Sequence, residues 1–345
     1  MASRKVAPPK VASPKVPPPK PRVGFLGVGW IGRHRMAAML ETGAVEAAAL
    51  CDPSPEMAAQ AAEAAPGAAV VPTLDALLDL DLDGVAIASP SALHAEQSVA
   101  ALERGAAVFC QKPLGRDAGE ARRVVDAARA ADRLLAVDLS YRHADAVRRI
   151  RDLVRAGELG RVFAADLVFH NAYGPDKAWF YDPRLSGGGC VMDLGVHLVD
   201  LALWALDFPE VAEVSSHLLA GGAPLGDPLS QVEDYAVATL ALGTGAVVRL
   251  ACSWRLQAGC DAAISAAFYG TDGGARFENV GGSFYDFRAE RFRGTASETL
   301  AAPPDLWGGR AAAGWARRLA GGERFDPEAW HLVEVARALD RIYGR

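Results

Sequence analysis

Two carboxylates and an imidazole lie close together in residues 186–204, SGGGCVMDLGVHLVDLALW. Asp193, His197 and Asp200 are spaced by four and three residues, which predicts one shared face of a helix. Histidine can take up and release protons near neutral pH, because its ordinary pKa is about 6.5. We interpret His197 as a general base and acid, and Asp193 as the group that orients a substrate hydroxyl or stabilises the imidazolium. Asp200 is predicted to be structural, hydrogen-bonding His197 or nearby backbone.

The same spacing would also suit a metal site or a hydrogen-bonded cluster in the core. The sequence offers no group of ligands on another element that would complete a metal site. We therefore predict no metal.

A second group of residues, GFLGVGWIGRH at 24–34, has the spacing of a phosphate-binding turn, GxGxxG, between a short apolar strand at 23–26 and a helix at 30–40. In such a turn the first glycine permits the tight bend, the second lets a pyrophosphate approach the backbone, and the third lets the helix pack on the strand. The phosphates would lie at the positive end of the helix. The predicted cofactor-binding residues of this turn are Gly27, Val28, Gly29, Trp30, Ile31 and Gly32.

Asp52 ends the next apolar run, VEAAALCD, 20 residues after Gly32. A carboxylate at this point of a dinucleotide fold accepts hydrogen bonds from the adenosine ribose and repels a 2′-phosphate. The sequence therefore favours NAD over NADP. Arg33 and Arg35 keep NADP open as the alternative, because either guanidinium could reach a 2′-phosphate.

The rest of the first half alternates short apolar strands with helices. We predict strands at 68–71, 84–89, 106–111 and 134–140, and helices at 92–104 and 117–132. This pattern is typical of a doubly wound parallel sheet, the Rossmann fold. Ligands bind at the carboxyl ends of such strands, where the sequence has Ser89-Pro90 and Gln111-Lys112-Pro113. We predict that Lys112 faces the nicotinamide.

In the second half, apolar runs are separated by glycine-rich turns with few helices between them. We predict a helix at 144–156, strand-like sequence from 161, strands at 211–219, 235–242, 246–254 and 262–269, and a final helix at 326–343. These strands should form a large, mostly antiparallel sheet covered by helices on one face, with the 186–204 helix between the sheet and the cleft. Strands 235–242 and 246–254 carry apolar residues at many consecutive positions, so another copy should cover the second face in a homodimer or homotetramer.

The predicted domains are a Pro/Lys-rich tail at 1–21, a nucleotide-binding domain at 22–142, and an α+β domain for substrate binding and oligomerisation at 143–345. The tail repeat, KVAPPKVASPKVPPPK, predicts a solvated, disordered arm.

Composition limits the class of protein. The chain has 345 residues, 51% of them hydrophobic and 23% charged, as in globular proteins. The first 22 residues are basic, so the remainder is more acidic than the whole-chain charge of −6, which argues against a nucleic-acid partner. The five cysteines lack metal-ligand spacing, and the sequence has no signal-peptide pattern and no apolar stretch of membrane-spanning length. We expect a cytoplasmic protein without a membrane partner.

Four segments of the sequence resemble, in order, the glucose–fructose oxidoreductase and inositol dehydrogenase family of nicotinamide-dependent oxidoreductases. They are GFLGVGWIGRH, SPSALHAEQSVAALERGAAVFCQKPLGRD, YRHADAVRRIRDLV and AWFYDPRLSGGGCVMDLGVHLVDLALW. The resemblance implies NAD(H)-dependent hydride transfer at a secondary alcohol or ketone of a sugar, cyclitol or sugar derivative. The residues it implies are Lys112, Asp193 and His197 for catalysis, Arg142 for the substrate, and Ser89, Pro90, His94, Gln111 and Lys112 for the cofactor.

The chain departs from the family at Gln111, where the family has the glutamate of a Glu-Lys-Pro motif. Glutamine can still position the turn, but it cannot offset the charge of Lys112. The ammonium should then lose its proton more readily.

Aromatic and polar side chains in FHNAYGPDKAWFYDP suit a polyhydroxylated ring, which has two apolar faces and a hydroxylated edge. The substrate-binding candidates here are His170, Asn171, Tyr173 and Trp179, with Trp254 and Arg255 at a later strand end.

Three alternatives stay open. One is a 3-ketoreductase for a nucleotide-linked deoxysugar, with NADPH possible. Another is an enzyme that holds NAD for a transient oxidation during hydrolysis or isomerisation. The third is a dinucleotide-binding regulator, against which the catalytic candidates count, because binding alone requires none of them.

Overall fold

The computed structural model describes residues 19–345, so nearly all of the predicted Pro/Lys tail lies outside the described residues. The first half forms a six-stranded parallel sheet with the order β3-β2-β1-β4-β5-β6. Its strands are β1 Arg22–Leu26, β2 Glu46–Cys51, β3 Ala69–Val70, β4 Gly84–Ile87, β5 Ala107–Cys110 and β6 Leu135–Val137. This order is that of a doubly wound dinucleotide-binding sheet, and the Rossmann prediction is confirmed.

Five helices connect these strands: α1 Trp30–Glu41, α2 Pro55–Ala64, α3 Leu74–Leu78, α4 Ser91–Glu103 and α5 Ala118–Ala131. Ser54, Thr73 and Asp117 begin α2, α3 and α5, because each side chain accepts a hydrogen bond from a backbone N–H of the first turn. By contrast, α1 begins after Gly29 without a side-chain cap. Its first N–H groups therefore remain available to a ligand.

The second half forms a nine-stranded sheet with the order β15-β14-β13-β12-β7-β11-β10-β8-β9. Only β7 and β11 pair in parallel within it; the other pairs are antiparallel. The strands are β7 Val162–Asn171, β8 Val211–Ala220, β9 Ala223–Pro224, β10 Tyr235–Leu242, β11 Val247–Ser253, β12 Ala262–Gly270, β13 Gly274–Asn279, β14 Phe287–Arg293 and β15 Ala296–Ala301. The mostly antiparallel sheet is confirmed, although the sequence prediction missed β9 and β13 to β15.

Helices cover one face of this sheet. They are α6 Asp145–Arg155, α8 Val196–Ala205 and α10 Trp330–Ile342, while the short α7 Pro183–Ser186 packs against α4. Every second residue of a strand points to the covered face. In β10 these residues are Ala236, Ala238, Leu240 and Leu242, and all four are buried. The main hydrophobic core of this half lies between these helices and the sheet.

The helix α9, Arg310–Ala320, packs back onto the first half. Its Trp315 is buried in one cluster with Val23 and Phe25 of β1. A Cβ on Gly84 would meet the Trp315 ring at 2.7 Å, so glycine in β4 makes room for the indole. The structure thus places residues 310–320, which the predicted boundaries assign to the second domain, in the core of the first.

One helical stretch, Pro183–Ala205, is long and apolar enough to span a membrane by length and composition, contrary to the sequence prediction. Within the protein, 89% of its apolar window is buried. Its last part, α8, is the central helix of the second-half core, where apolar residues on all sides are expected.

Candidate active site

A cavity of about 1800 Å³ lies at the carboxyl ends of the parallel strands, and second-half residues at 176–197, 284–285 and 305–317 line its other side. Sites for a single small ligand are typically about 300–1,000 Å³, so this cavity can hold a dinucleotide and a second small molecule. Of the predicted cofactor residues, those that line it are Gly27, Gly29, Trp30, Ile31, Asp52, Ser89, Pro90, His94, Gln111 and Lys112.

The glycine-rich turn has the geometry of a phosphate cradle. A Cβ on Gly32 would lie 2.0 Å from the Gly27 carbonyl oxygen, which explains the close approach of α1 to the turn. A Cβ on Gly29 would meet nothing within 4 Å, because this position faces the cavity. The open space beside Gly29 and the uncapped start of α1 fit a pyrophosphate. Val28 and Gly32 belong to the turn without lining the cavity.

Asp52 lies at the end of β2, where the sequence predicts the ribose contact. Its carboxylate accepts hydrogen bonds from the backbone N–H groups of Val28, at 2.7 Å, and Ser54, at 2.8 Å. These bonds fix the carboxylate at the cavity wall and leave lone pairs for further donors. Both alternative arginines line the cavity: Arg33 donates to the Val28 carbonyl and has no carboxylate partner among the described residues, whereas Arg35 is paired with Asp138.

Lys112 and Asp193 form the central ion pair of the cavity. Lys112 Nζ lies 2.7 Å from both the side-chain Oδ1 and the carbonyl oxygen of Asp193. The second carboxylate oxygen of Asp193 accepts a hydrogen bond from Trp254 Nε1 at 3.0 Å. Asp193 therefore fixes the ammonium position, and Trp254, a predicted substrate contact, instead holds Asp193.

Contrary to the prediction, the side chains of Asp193, His197 and Asp200 do not all share one face: Asp193 and His197 line the cavity, whereas Asp200 does not. Residues Val191–Gly195 form a π-helical turn, whose extra residue rotates Asp193 away from the line of α8. Asp200 is 1% exposed and receives two hydrogen bonds from the Arg142 guanidinium instead of bonding His197.

Arg142, predicted to bind substrate, is committed to this buried pair. Its guanidinium also lies over the rings of Trp204 and Phe208, with 5.7 and 5.4 Å from Cζ to the ring centroids. Arg142 does not line the cavity. It joins the start of α6 to α8, which is a structural role.

His197 is 7% exposed and lines the cavity. Its ring packs edge-on against Tyr141, with 4.8 Å between the centroids, and near Phe169 at 6.4 Å. Within residues 19–345 the imidazole has no hydrogen-bond partner, so its ring nitrogens are available to a substrate. Burial lowers the pKa of His197 well below 6.5, and the positive charges of Lys112 and Arg35 lower it further. The neutral form, which can accept a proton, therefore prevails at pH 7.

Two further cofactor candidates, Ser89 and His94, have contacts that position the turns around them. Ser89 Oγ donates to Gln97 Oε1 at 2.5 Å. The two ring nitrogens of His94 lie 2.6 and 2.8 Å from the carbonyl oxygens of Pro113 and Ser89. His94 thus ties the Ser89-Pro90 turn to the Lys112-Pro113 turn across the cavity floor.

Of the remaining substrate candidates, only Trp179 lines the cavity. His170 follows Phe169 in β7, and because successive side chains of a strand alternate, it lies on the opposite face of the sheet. There it bonds Ser253 Oγ and stacks on Tyr235. Asn171, Tyr173 and Arg255 also lie outside the cavity: Asn171 accepts from the Tyr173 N–H, Tyr173 donates to Asp261, and Arg255 donates to Tyr181.

Several cavity residues were not predicted from the sequence. They are Tyr141, Phe180, Met192, Tyr285, Trp307 and Arg310. Tyr141 directly precedes Arg142 after β6, so the strand-end rule could have found it. The residues after 284 come from segments whose strands and helix the sequence prediction missed.

No three His, Cys, Asp or Glu side chains form a group that could hold a metal ion in the part of the chain that the structure describes.

Comparisons with known proteins decide the family. Residues 21–139 match an oxidoreductase family with an NAD-binding Rossmann fold, and residues 147–276 match the GFO/IDH/MocA C-terminal domain. The D-glucoside 3-dehydrogenase of Escherichia coli (strain K12) is 30% identical over 266 residues, 74% of this chain and 76% of the relative. The chain belongs to the GFO/IDH/MocA oxidoreductase family.

Two further proteins are similar to this chain. The 1,5-anhydro-D-fructose reductase of Ensifer adhaerens is 34% identical over 200 residues, 57% of this chain and 60% of that relative. A levoglucosan dehydrogenase solved with NADH and levoglucosan has the same fold, with a TM-score of 0.81 over 94% of this chain and 96% of its own, at 21% identity. The predictions of the family, of an oxidoreductase and of NAD as cofactor are confirmed.

Proposed function

We propose that this protein oxidises a secondary alcohol, or reduces the corresponding ketone, of a sugar, cyclitol or sugar derivative. The observation that carries the proposal is the unbonded imidazole of His197 in the cavity that also contains the glycine-rich turn and the Lys112–Asp193 pair. A dinucleotide site alone would require neither group. The nicotinamide, when bound, supplies the hydride chemistry.

Each residue has a separate task in this reaction. His197 accepts the hydroxyl proton on oxidation and returns it on reduction. Lys112, held by Asp193, stabilises negative charge on the substrate oxygen. Trp179, stacked on Phe180 with 3.8 Å between centroids, offers an aromatic surface to the apolar face of a sugar ring. The printed names of the relatives, a glucoside dehydrogenase and an anhydrofructose reductase, support the same substrate class.

A substrate panel tests this function. Purified protein is mixed with NAD⁺ and sugars, glycosides or cyclitols, or with NADH and their keto forms, and the absorbance of reduced nicotinamide is followed. We expect turnover with at least one member of the panel. Binding of NADH without turnover of any member in either direction would contradict the proposal and favour a regulator.

Asp52 is proposed to select NAD over NADP. Asp52→Ala should weaken NADH binding about 10–100-fold, since it removes hydrogen bonds to a charged group and loosens the turn at Val28. The difference between the affinities for NADH and NADPH should become smaller, because the carboxylate no longer repels the 2′-phosphate. Fluorescence titration with both reduced cofactors measures this, and Glu56→Gln, on the exposed side of α2, is the control. Tighter binding of NADPH than NADH by the wild type would contradict it.

We further propose a homodimer or homotetramer formed by the open face of the nine-stranded sheet. Val237, Val247 and Tyr269 are 37%, 40% and 40% exposed on this face, although they lie in regular strands. Exposed apolar side chains of this kind are typical of a surface covered by another protein, and the Arg249–Asp166 ion pair lies among them on the same face. Since all five cysteines are free thiols, we also infer a reducing, cytoplasmic setting.

Light scattering tests the assembly. We expect a mass of two or four times 36.3 kDa at micromolar concentration. Val237→Lys should shift the mass towards the monomer, because it places a charge in the interface. Leu229→Lys, at a residue 78% exposed outside the sheet, should leave the mass unchanged. A wild-type mass near 36.3 kDa would overturn the proposal.

A further inference from the structure

A buried polar network joins the turn before Lys112 to the helix after the glycine-rich turn. Gln111 Nε2 donates to Asp138 Oδ2 at 2.6 Å, and Arg35 Nε donates to the same oxygen at 2.5 Å. Asp138 is 2% exposed, Gln111 is 8% exposed, and the Arg35 side chain is 12% exposed. One positive and one negative charge are therefore held largely out of water at the cavity wall.

The backbone fixes these residues on neighbouring elements. Gln111 follows β5, Asp138 follows β6 and Arg35 lies in α1. The Gln111 N–H donates to the Ile87 carbonyl at 2.9 Å, and the Asp138 N–H donates to the Cys110 carbonyl at 2.9 Å. Because the backbone is held in this way, a change of charge at one of these residues must be compensated by the charges and hydrogen bonds of the neighbouring side chains.

The charges explain why glutamine suits position 111. In the Glu-Lys-Pro motif a carboxylate stands here, but in this chain it would lie within hydrogen-bond distance of the Asp138 carboxylate. Two buried like charges would then compete for the single guanidinium of Arg35. The amide of Gln111 instead donates to Asp138. The other oxygen, Asp138 Oδ1, is buried without a hydrogen-bond partner in residues 19–345, so the carboxylate depends on Arg35 and Gln111.

We propose that Gln111 and Asp138 are a matched pair. In this pair Asp138 supplies, from the end of β6, the buried carboxylate that this chain lacks at position 111. Asp138 is thus a positioning residue that acts through Gln111 and Arg35 to hold the Lys112 turn against α1. The importance of that turn for turnover rests on the proposed function, whereas the pairing is a property of the chain alone.

A reciprocal exchange of the two side chains tests the pair by thermal unfolding and by fluorescence titration with NADH. Asp138→Asn should lower Tm and weaken NADH binding about tenfold, because Arg35 loses its counter-charge. Gln111→Glu should also weaken binding about tenfold, because two carboxylates then meet. The double variant has one carboxylate and one amide again, so it should bind NADH within about threefold of wild type and regain most of the lost Tm.

Gln60→Glu is the matched control. Gln60 Nε2 donates to Glu56 Oε1 at 3.2 Å on an exposed helix surface, so the same substitution beside a carboxylate should change neither readout.

The proposal would be overturned if the losses of Tm and of NADH affinity in the double variant equalled the sum of the losses in the single variants. It would also be overturned if either single variant had the Tm and NADH affinity of the wild type. If Gln111→Glu does not fold, the comparison of Asp138→Asn with the double variant decides. The proposal is overturned if the double variant has neither a higher Tm nor a higher NADH affinity than Asp138→Asn. Neither readout requires a substrate or turnover, so failure here is distinguishable from failure of the proposed function.

Discussion

Replacing His197 with alanine should lower turnover about 10²–10⁴-fold while NADH affinity stays near the wild-type value. The His197 imidazole lines the cavity close to Lys112 and Asp193, has no hydrogen-bond partner in residues 19–345, and is separate from the glycine-rich turn. Steady-state rates and NADH titrations on the same preparations measure both effects. His217→Ala, an exposed histidine of β8, is the control and should behave as wild type. Near wild-type turnover in His197→Ala would return His197 to a structural role and leave the proton to Lys112 or water.

The rates of oxidation and of reduction should change in opposite directions as the pH falls. Burial and the positive charges of Lys112 and Arg35 hold the pKa of His197 well below 6.5. Oxidation needs the neutral imidazole, so its rate should decline only when the pH falls well below 6.5. Reduction needs the protonated form and should become faster as the pH falls. A decline of the oxidation rate already as the pH falls from 8 to 7 would contradict this account.

Replacing Lys112 with methionine should lower turnover about 10²–10³-fold and also weaken NADH binding. The ammonium is 19% exposed between the cofactor turn and Asp193, so its removal takes a positive charge from the reacting oxygen and leaves the Asp193 carboxylate without its partner. Steady-state kinetics and NADH titration check both effects.

Two comparisons sharpen the Lys112 test. Lys20→Met removes an exposed lysine before β1 and should have no effect. In Lys112→Met the pKa of His197 should rise, because one of the positive charges that lower it is gone. The acid limb of oxidation should then move to higher pH. Wild-type NADH binding and turnover in Lys112→Met would contradict the role of the lysine.

The first half of the fold and its cofactor turn could be predicted because each depends on local sequence. Short apolar strands between helices determine a parallel sheet, and Gly32 is required by its close approach to the Gly27 carbonyl within one turn. Lys112 was found because it follows a strand end, and Asp193 and His197 were found because they are close in sequence; all three line the cavity. These positions depend on residues close in sequence.

The missed features depend on contacts between distant segments. The π-helical turn separates Asp193 from Asp200, and no spacing rule for a regular helix predicts it. His170 was misplaced because its face of β7 depends on the strand register. The pairing of Gln111 with Asp138, 27 residues away, became visible only when the ends of β5 and β6 lay side by side.

Direct transfer of hydrogen between substrate carbon and nicotinamide is the central claim, and isotope transfer tests it most directly. A substrate from the panel, deuterated at the reacting carbon, is mixed with NAD⁺ and the protein, and the mass of the released cofactor is measured. The account predicts reduced nicotinamide that carries one deuterium. The account would be contradicted if product formed with the deuterium still in it and no labelled NADH were released. That result would favour a transient oxidation during hydrolysis or isomerisation.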